Sequence, residues 1–237
     1  MDKIIVITGS TYGLGASLGL HLLRQGATVI FNYTNDYNAA KIIREKAEAI
    51  QCGKYHVIRA DVSKQDEVQF FVDEVITNVG IPDILINNAA IAKSHHMLNM
   101  NYTSWQKVLD VNLNGVFFCS KQFARKMLKK GKGKIINIGS LTGERGLKAN
   151  CNYSSSKAAL VGLTRSMAND LYNFSIMVNL VYPPSIITNL NKIEKKSKQT
   201  EIYTSSFQNF VSFMCTDEFH SISGQVFCLN NKMWGDD

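Results

Sequence analysis

Residues Lys3–Leu23 read KIIVITGSTYGLGASLGLHLL, in which an apolar run leads into a glycine-rich turn and then into a helical pattern. The run Ile4–Ile7 is rich in β-branched residues and predicts a buried strand. A glycine has no Cβ to hold a phosphate away from the backbone N–H groups, and a following helix adds the positive end of its dipole. The stretch therefore predicts a strand, a turn and a helix that hold a phosphate group, although glycine turns that serve packing alone share this pattern.

Length and composition favour a single domain, 1–237. The chain has 237 residues, 45% of them hydrophobic, which is enough to bury a sizeable core. No apolar run reaches membrane-spanning length, and the first predicted strand follows Met1 without space for a signal peptide. We therefore expect a cytoplasmic protein.

The cysteines and the charge argue against two classes of protein. Five cysteines lie at large spacings, with no Cys-x-x-Cys pair and no histidine-rich neighbour, so they predict reduced thiols and no metal site. The net charge is +7, but the lysines form short groups without interleaved aromatic residues, which argues against nucleic-acid binding. A positive charge of this kind favours a phosphorylated cofactor or an acidic partner.

Predicted strands alternate with helical patterns along the chain, without an evident linker or repeat. This alternation predicts a doubly wound (Rossmann) α/β fold, with a parallel sheet of about seven strands, helices on both faces and right-handed crossovers. After the first strand, the pattern locates strands at 27–31, 55–60, 84–86 and 134–138.

The carboxyl ends of the predicted strands collect the candidate ligand-binding residues. Doubly wound sheets bind ligands at this edge, so we expect the segments that follow the strands to line one elongated crevice. The first four of these segments are Gly9–Gly15, Asn32–Thr34, Asp61–Val62 and Asn87–Ala90.

The second segment bears on the type of dinucleotide. In dinucleotide-binding folds an acidic residue at the end of the second strand binds the ribose 2′-OH, whereas its absence leaves room for a 2′-phosphate. Asn32 occupies this position and no carboxylate occurs before Asp36, so the sequence favours NADP(H) over NAD(H). Neither Tyr12 nor residues 33–35 supply a cation for that phosphate, and an ordinary polar loop is the alternative interpretation.

A long helical region, Trp105–Lys130, contains two asparagines, Asn112 and Asn114, in an apolar context. A buried asparagine can be a satisfied structural amide, can mark a kink or can serve function. The region leads into a cationic cluster, Arg125–Lys134, which is typical of a solvated helix end that suits the helix dipole. The predicted inner side of the helix consists of Val108, Leu109, Val111, Val116, Phe117, Phe123 and Met127.

Three side chains predict chemistry at the same edge of the sheet. Ser140 follows the strand 134–138, and Tyr153 and Lys157 lie one turn apart on one face of a helix that begins at Asn152. A cation near a phenol favours the phenolate and lowers its pKa from about 10 toward neutrality. The phenol can then act as an acid and a base, although Tyr and Lys at this spacing also form ordinary surface pairs.

Together these motifs resemble the short-chain dehydrogenase/reductase family, and the resemblance covers nearly the whole chain, from Lys3 to about Met233. It implies that a hydride passes between a nicotinamide and a substrate carbon while the protein supplies geometry and charge. The motifs that carry the resemblance are Thr8-Gly9-x-x-x-Gly13-x-Gly15, Asn87-Asn88-Ala89, Asn112, Ser140 and Tyr153-x-x-x-Lys157.

The resemblance implies a role for each of the four catalytic positions. Tyr153 would transfer a proton at the substrate oxygen, and Lys157 would hold the nicotinamide ribose and lower the pKa of the tyrosine. Ser140 would hydrogen-bond the carbonyl oxygen, and Asn112 would anchor a water on the proton path. The implied cofactor-binding residues are Gly9, Ser10, Thr11, Tyr12, Gly13, Leu14, Gly15, Asn32, Tyr33, Thr34, Asp61, Val62, Asn88, Ala89, Ala90, Tyr153, Lys157, Pro183, Ile186 and Thr188.

Within the family, the sequence is most similar to the bacterial reductases that act on 3-oxoacyl groups bound to acyl carrier protein. This likeness rests on Asn32-Tyr33, on Lys129–Ser140 and on the ending SGQVFCLN at 223–230. It implies NADPH-dependent reduction of a 3-oxoacyl thioester in fatty-acid or specialised acyl or polyketide biosynthesis, by a homotetramer or homodimer. The cations that would attract the acidic carrier protein are Arg125, Lys126, Lys129 and Lys130.

Some positions depart from that pattern. Pro184 stands in place of a glycine, and Phe174 stands where carrier-protein reductases often have an arginine. The substrate lid, 188–219, is about a dozen residues shorter than in relatives, which predicts an open pocket. Two alternatives remain: a dehydrogenase or reductase of a small alcohol, sugar or steroid, and a non-catalytic dinucleotide sensor on the same fold.

Overall fold

A parallel sheet of seven strands lies at the centre of the computed structural model, which describes residues 1–184 and 198–229. The strands are β1 (Ile4–Ile7), β2 (Thr28–Tyr33), β3 (Lys54–Arg59), β4 (Ile84–Asn87), β5 (Gly133–Ile138), β6 (Ile176–Tyr182) and β7 (Val226–Cys228). Their spatial order is β3-β2-β1-β4-β5-β6-β7, and every neighbouring pair is parallel.

The chain winds outward from the middle of this sheet in two directions. From β1 it proceeds to β2 and β3 on one side, and β4 to β7 extend the other side. The connections that leave β1 and β4 therefore diverge, and a crevice opens at the carboxyl ends of these two strands. The doubly wound fold predicted from the sequence is confirmed.

Helices cover both faces of the sheet. Within the described residues they are α1 (Gly13–Arg24), α2 (Tyr37–Glu48), α3 (Gln65–Asn78), α4 (Tyr102–Leu109), α5 (Gly115–Lys130), α6 (Thr142–Arg145), α7 (Cys151–Leu171) and α8 (Lys198–Cys215). Helices α1, α2 and α8 pack on one face, and α3, α5 and α7 pack on the other. Each of these helices is too short or too polar to cross a membrane.

The side chains of strand β1 pack in both core layers, and this packing fixes the register of the strand. Ile5 and Ile7 pack in the layer that contains α1 and α8, while Val6 packs in the layer that contains α3 and α5. All three side chains are fully buried, because successive residues of a strand point to opposite faces and both faces are covered. A shift of β1 by one residue would turn each of its side chains to the opposite face of the sheet. The packing therefore fixes the point at which the turn after Ile7 begins.

The central helix runs from α4 into α5 through a π-helical segment, Asp110–Asn114. Short π segments insert an extra residue into a turn and occur frequently at functional sites. Asn112 lies in this segment. Val116 is buried as predicted, but the neighbouring Phe117 is 43% exposed, because adjacent helical residues point in different directions.

Two differences from the sequence-based prediction bear on the candidate site. Strand β2 continues through Tyr33, so Asn32 lies within the strand rather than after it. Residues 188–197 of the predicted lid lie outside the described residues, and Phe207 and Val211 of α8 are fully buried in the core. Helix α8 therefore belongs from Phe207 onward to the core layer rather than to a lid.

Phe71→Ala is expected to lower the free energy of unfolding by about 3 to 5 kcal/mol, because it opens a cavity in the second core layer. The Phe71 ring is 1% exposed and meets Phe123 edge-on, with ring centroids 5.7 Å apart. Urea denaturation measures the change. The adjacent Phe70 is 73% exposed and provides the control, since Phe70→Ala removes no core contact and should leave the stability nearly unchanged. Equal effects of the two substitutions would contradict the proposed packing.

Candidate active site

The glycine turn between β1 and α1 makes close contacts that a side chain would prevent. Gly9 has a φ of +58°, and a Cβ on it would lie 2.8 Å from Ala89 Cα. A Cβ on Gly15 would lie 2.4 Å from Nδ2 of Asn88 and 2.9 Å from the carbonyl oxygen of Gly9. The glycines therefore allow the turn and the segment after β4 to approach each other at the crevice.

Thr8 and Asn88 tie this turn to the end of β4. The side-chain amide of Asn88 donates to the carbonyl oxygens of Thr8, at 3.0 Å, and Gly9, at 2.8 Å. The Thr8 hydroxyl accepts from the backbone N–H groups of Asn88, at 3.0 Å, and Ala89, at 3.1 Å. Four hydrogen bonds thus bring two of the sequence-predicted segments together.

The N-terminus of α1 has features that suit a phosphate. Tyr12 is the N-cap residue and makes no side-chain capping hydrogen bond, and the first turn contains no acidic residue. The first N–H groups of a helix have no intrahelical partner and carry the positive end of the dipole. With Gly9 and Gly15 leaving the cradle free of side chains, these groups fit the pyrophosphate of a dinucleotide.

Three residues predicted to bind a cofactor use their side chains within the fold. The Ser10 hydroxyl donates to Ile7 O at 2.7 Å, and Asp61 Oδ1 accepts from the hydroxyl of Ser63 at 2.6 Å. Asn32 is 1% exposed. Its Oδ1 accepts from Gly9 N at 3.1 Å, and its Nδ2 donates to Ala60 O at 3.1 Å. Asn32 therefore supports the glycine turn from inside the sheet.

The segment after β2 presents neutral groups to the crevice. Tyr12 is 50% exposed and Thr34 is half-buried, while Tyr33 packs edge-on against Tyr37 with ring centroids 5.7 Å apart. The first carboxylate after the strand, Asp36, caps α2, because its Oδ1 accepts from Ala39 N at 2.8 Å. The nearest acidic group is thus engaged elsewhere.

The side chains of Ser140, Tyr153 and Lys157 come together at the carboxyl end of β5. Ser140 follows Gly139 after this strand, and its hydroxyl forms a hydrogen bond with the phenol of Tyr153. The ammonium of Lys157 lies 5.8 Å from the centroid of the Tyr153 ring and donates to Ile138 O at 2.8 Å. A hydroxyl, a phenol and an ammonium therefore face the same edge of the sheet as the glycine turn.

Burial has the largest effect on the pKa values of Tyr153 and Lys157. Burial raises the pKa of Tyr153, and the hydrogen bond with Ser140 acts in the opposite direction with a smaller effect. Burial lowers the pKa of Lys157 to about 8, so its ammonium still carries a proton at neutral pH. The expected fall in the pKa of Tyr153 is not met in this structure, because desolvation of the phenol prevails and Lys157 makes no direct hydrogen bond with it.

Asn112 connects the segment after β4 to α7. Its Oδ1 accepts from Ile91 N at 2.8 Å, and its Nδ2 donates to Ile91 O at 3.0 Å and to the Ser156 hydroxyl at 3.1 Å. The residue is fully buried, and both N–H bonds of the amide are used. The side chain is thus a satisfied amide that holds two elements of the site.

Two residues that the sequence reasoning missed fix the start of α7. Asn152 is fully buried, and its amide donates to Lys93 O and Ser104 O at 3.0 and 3.2 Å, while its Oδ1 accepts from Tyr153 N. Ser156 donates to Tyr153 O at 2.7 Å. Asn152 directly precedes Tyr153 and Ser156 follows it by three residues, and a polar amide beside a candidate acid was the available signal.

Four further residues predicted to bind the cofactor lie in the described part of the chain. Leu14, Ala90 and Pro183 are half-buried, and Val62 packs against Gly115, whose Cβ would lie 3.0 Å from Val62 Cγ2. Ile186 and Thr188 lie outside the described residues. Within residues 1–184 and 198–229, no group of three His, Cys, Asp or Glu side chains is arranged to hold a metal.

Gly15→Ala is expected to weaken binding of a nicotinamide dinucleotide at least tenfold, which corresponds to about 1.4 kcal/mol, because the new methyl group displaces Asn88 from the glycine turn. Fluorescence titration with NADPH measures the affinity. Gly162→Ala is the matched control, because this glycine lies in α7 with open space around it. The control should bind NADPH normally, and wild-type affinity in Gly15→Ala would refute the assigned cradle.

Comparison with known proteins agrees with this geometry. The short chain dehydrogenase family matches residues 3–199. The 3-oxoacyl-(acyl-carrier-protein) reductase FabG of Staphylococcus epidermidis is 33% identical over 99% of this chain and 100% of its own length. The reductase of the same name from Aquifex aeolicus is also 33% identical, over 98% of this chain and 97% of its own.

A solved structure with a similar fold belongs to the same family. A double mutant of a Serratia marcescens short-chain dehydrogenase/reductase superposes with a TM-score of 0.85 and 29% identity over 96% of both chains. The family match spans most of the sequence and the full-length relatives align from end to end. The chain therefore belongs to the short-chain dehydrogenase/reductase family and is an NAD(P)-dependent oxidoreductase that acts on CH–OH and C=O groups.

Proposed function

We propose that the protein reduces a 3-oxoacyl thioester, carried by acyl carrier protein, to the 3-hydroxyacyl form with NADPH. The observation that carries the proposal is the meeting of Ser140, Tyr153 and Lys157 at the edge of the sheet that bears the glycine turn. The substrate class is supported by the full-length relatives, which are named for this reduction.

The candidate catalytic residues would divide the reaction between proton transfer and orientation. A bound nicotinamide supplies the hydride that reduces the carbonyl carbon. Tyr153 donates the proton of its hydroxyl to the carbonyl oxygen, so that the C=O group becomes CH–OH. Ser140 donates a hydrogen bond to the same oxygen and holds it beside the phenol. Lys157 would bind the nicotinamide ribose and stabilise the phenolate that remains.

The protonation states of Tyr153 and Lys157 suit reduction of a carbonyl group. Burial keeps the pKa of Tyr153 high, so the phenol holds its proton at neutral pH and is available as an acid. The pKa of Lys157 is about 8, so its ammonium is charged when the phenolate forms. The positive charge then lies near the ring on which negative charge develops.

Asn112 acts in this proposal as a positioning residue. Its side-chain amide already binds Ile91 and Ser156, and Ser156 in turn binds the backbone of Tyr153. The amide thus holds the start of α7 against the segment after β4. A water on the proton path would need another hydrogen-bond donor, because both N–H bonds of Asn112 are used.

The preference for NADPH rests on what surrounds the end of β2. Asn32 is buried behind the glycine turn, and the carboxylate of Asp36 caps α2. Asn32 carries no charge, and the Asp36 carboxylate is held at the start of α2, so neither residue is placed to bind a ribose 2′-OH at the end of β2. Tyr12 and Thr34 then border the space for the phosphate.

The four predicted cations near the C-terminal end of α5 differ in whether they form ion pairs. Lys126 binds Asp73 at 3.0 Å, and Lys130 binds Asp83 at 2.6 Å. Among the described residues, no carboxylate lies within ion-pair distance of Arg125 or Lys129, which are both exposed. Of the four predicted cations, we propose these two as the contact for an acidic carrier protein, because their charge is not neutralised.

The other end of α5 supports self-association. Phe117 is 43% exposed and its ring lies 5.9 Å from that of Phe118, which gives the helix an apolar surface patch. We propose that two or four copies assemble with α5 and α7 at the interface, where this surface would be covered. Arg125 and Lys129 lie two to three turns away along the helix.

Tyr153→Phe is expected to lower kcat at least about a hundredfold while NADPH affinity stays normal, because the ring remains but the proton donor is lost. The assay measures turnover with NADPH and with NADH as reductant. Each reductant is tested on short 3-oxoacyl thioesters and on simple ketones. Tyr172→Phe, at an exposed position after α7, is the matched control and should leave turnover unchanged. NADPH oxidation with ketones but with no thioester would refute the proposed substrate, and turnover by Tyr153→Phe would refute its proton donor.

The double variant Arg125→Glu and Lys129→Glu is expected to raise the KM for a carrier-bound thioester about tenfold, since it places like charges against an acidic surface. The KM for a thioester of N-acetylcysteamine, which has no carrier protein, should not change. Lys41→Glu with Lys46→Glu reverses two exposed charges on α2 and is the control. An equal rise in KM for both substrates would contradict carrier docking at this site.

A further inference from the structure

Tyr182, the last residue of β6, carries a buried phenol that the proposed mechanism does not use. The residue is 1% exposed, and its hydroxyl donates to Glu144 Oε1 at 2.9 Å. A hydrogen bond to a carboxylate is stronger than one between neutral groups, and a buried hydroxyl without a partner is costly. The bond therefore fixes the position of Glu144, which lies in α6.

The ring of Tyr182 supports the backbone directly before Ser140. A Cβ on Gly139 would lie 2.6 Å from both Cδ1 and Cε1 of this ring, so the glycine backbone rests on the ring face. Gly139 N also donates to Val181 O at 2.8 Å, which aligns the same two strand ends. The backbone from which the Ser140 side chain projects is thus held by β6.

The turn that contains Glu144 contacts both Ser140 and the backbone of Lys157. Thr142 N donates to the Ser140 hydroxyl oxygen at 3.2 Å. A Cβ on Gly143 would lie 2.7 Å from Ala158 N and 2.8 Å from the carbonyl carbon of Lys157, so α6 packs on the backbone of α7. Tyr182 therefore holds the segment around Ser140 at both ends, through Gly139 and through Glu144.

We propose that Tyr182 is a positioning residue for Ser140, and that its ring and its hydrogen bond to Glu144 hold the Ser140 hydroxyl in reach of the Tyr153 phenol. This inference rests on the proposed roles of Ser140 and Tyr153, and it holds for any carbonyl substrate. Tyr182 acts through the segment 139–144 and touches no reacting atom.

A role in packing alone makes a different prediction from a role in positioning. Loss of packing would lower the free energy of unfolding and leave the chemistry intact. Displacement of Ser140 would weaken the hydrogen bond that lowers the pKa of Tyr153, so the phenol would keep its proton to higher pH. Besides Glu144, the charged groups that act on Tyr182 are Arg165 and Cys228, and neither acts on Tyr153.

Tyr182→Phe keeps the ring and removes the hydroxyl. We expect kcat to fall about tenfold to a hundredfold, as for a small misplacement of a catalytic group, with NADPH affinity unchanged. The pKa of Tyr153, obtained from the difference in tyrosinate absorbance between each variant and the same variant carrying Tyr153→Phe, should rise. Glu144→Gln retains an acceptor oxygen and should behave like the wild type, while Glu144→Ala should reproduce the effect of Tyr182→Phe. The double variant Tyr182→Phe with Glu144→Ala should add no further loss.

The variants are compared on the carbonyl compound that the wild type reduces fastest, so the result does not depend on thioester reduction. Absence of thioester turnover would refute the proposed substrate and leave this test valid. A wild-type kcat and a wild-type pKa of Tyr153 in both Tyr182→Phe and Glu144→Ala would overturn the inference, even if their unfolding temperatures fall. Glu144 is exposed, so Glu144→Ala provides the same test if Tyr182→Phe does not fold.

Discussion

The amide of Asn88 donates to the carbonyl oxygens of Thr8 and Gly9, and these two hydrogen bonds join the strand ends between which the crevice opens. Without them, β1 and β4 would still pair, but the turn after β1 would be held only by the Thr8 hydroxyl, by Ser10 and by Asn32. The same contact explains why a side chain cannot stand at Gly15, whose ideal Cβ falls on the Asn88 amide. Helix α1 consequently begins at a defined point and directs its free N–H groups into the crevice.

Neutral amides and hydroxyls hold the opposite wall in the same way. Asn112 and Asn152 each connect α7 to the segments that follow β4, and both are fully buried with their N–H bonds used. Buried polar groups of this kind are costly when unpaired, so each admits only one arrangement of the elements that it joins. In the part of the chain that the structure describes, Lys157 contributes the one buried charge of this wall, and its ammonium donates to the carbonyl oxygen of Ile138.

Local patterns predicted much of this structure, because strands, glycine turns and helix faces depend on neighbours in the sequence. The meeting of Ser140, Tyr153 and Lys157 could be predicted only from their joint resemblance to a family. Contacts over long sequence separation could not be predicted: Glu144 and Tyr182 are 38 residues apart. The pKa of Tyr153 was predicted in the wrong direction, because a cationic neighbour is visible in a sequence and the extent of burial is not.

Asn32 shows how an error of two residues in a strand end changes an interpretation. Since β2 continues to Tyr33, the Asn32 side chain points to Gly9 and Ala60 instead of the ribose. An aspartate there could not donate to Ala60 O and would place a carboxylate against that carbonyl oxygen. An Asn32→Asp substitution intended to change the coenzyme would thus loosen the glycine turn that holds the phosphate. Redesign of coenzyme choice has to begin beyond the end of β2, at the exposed Asn35, rather than within the strand.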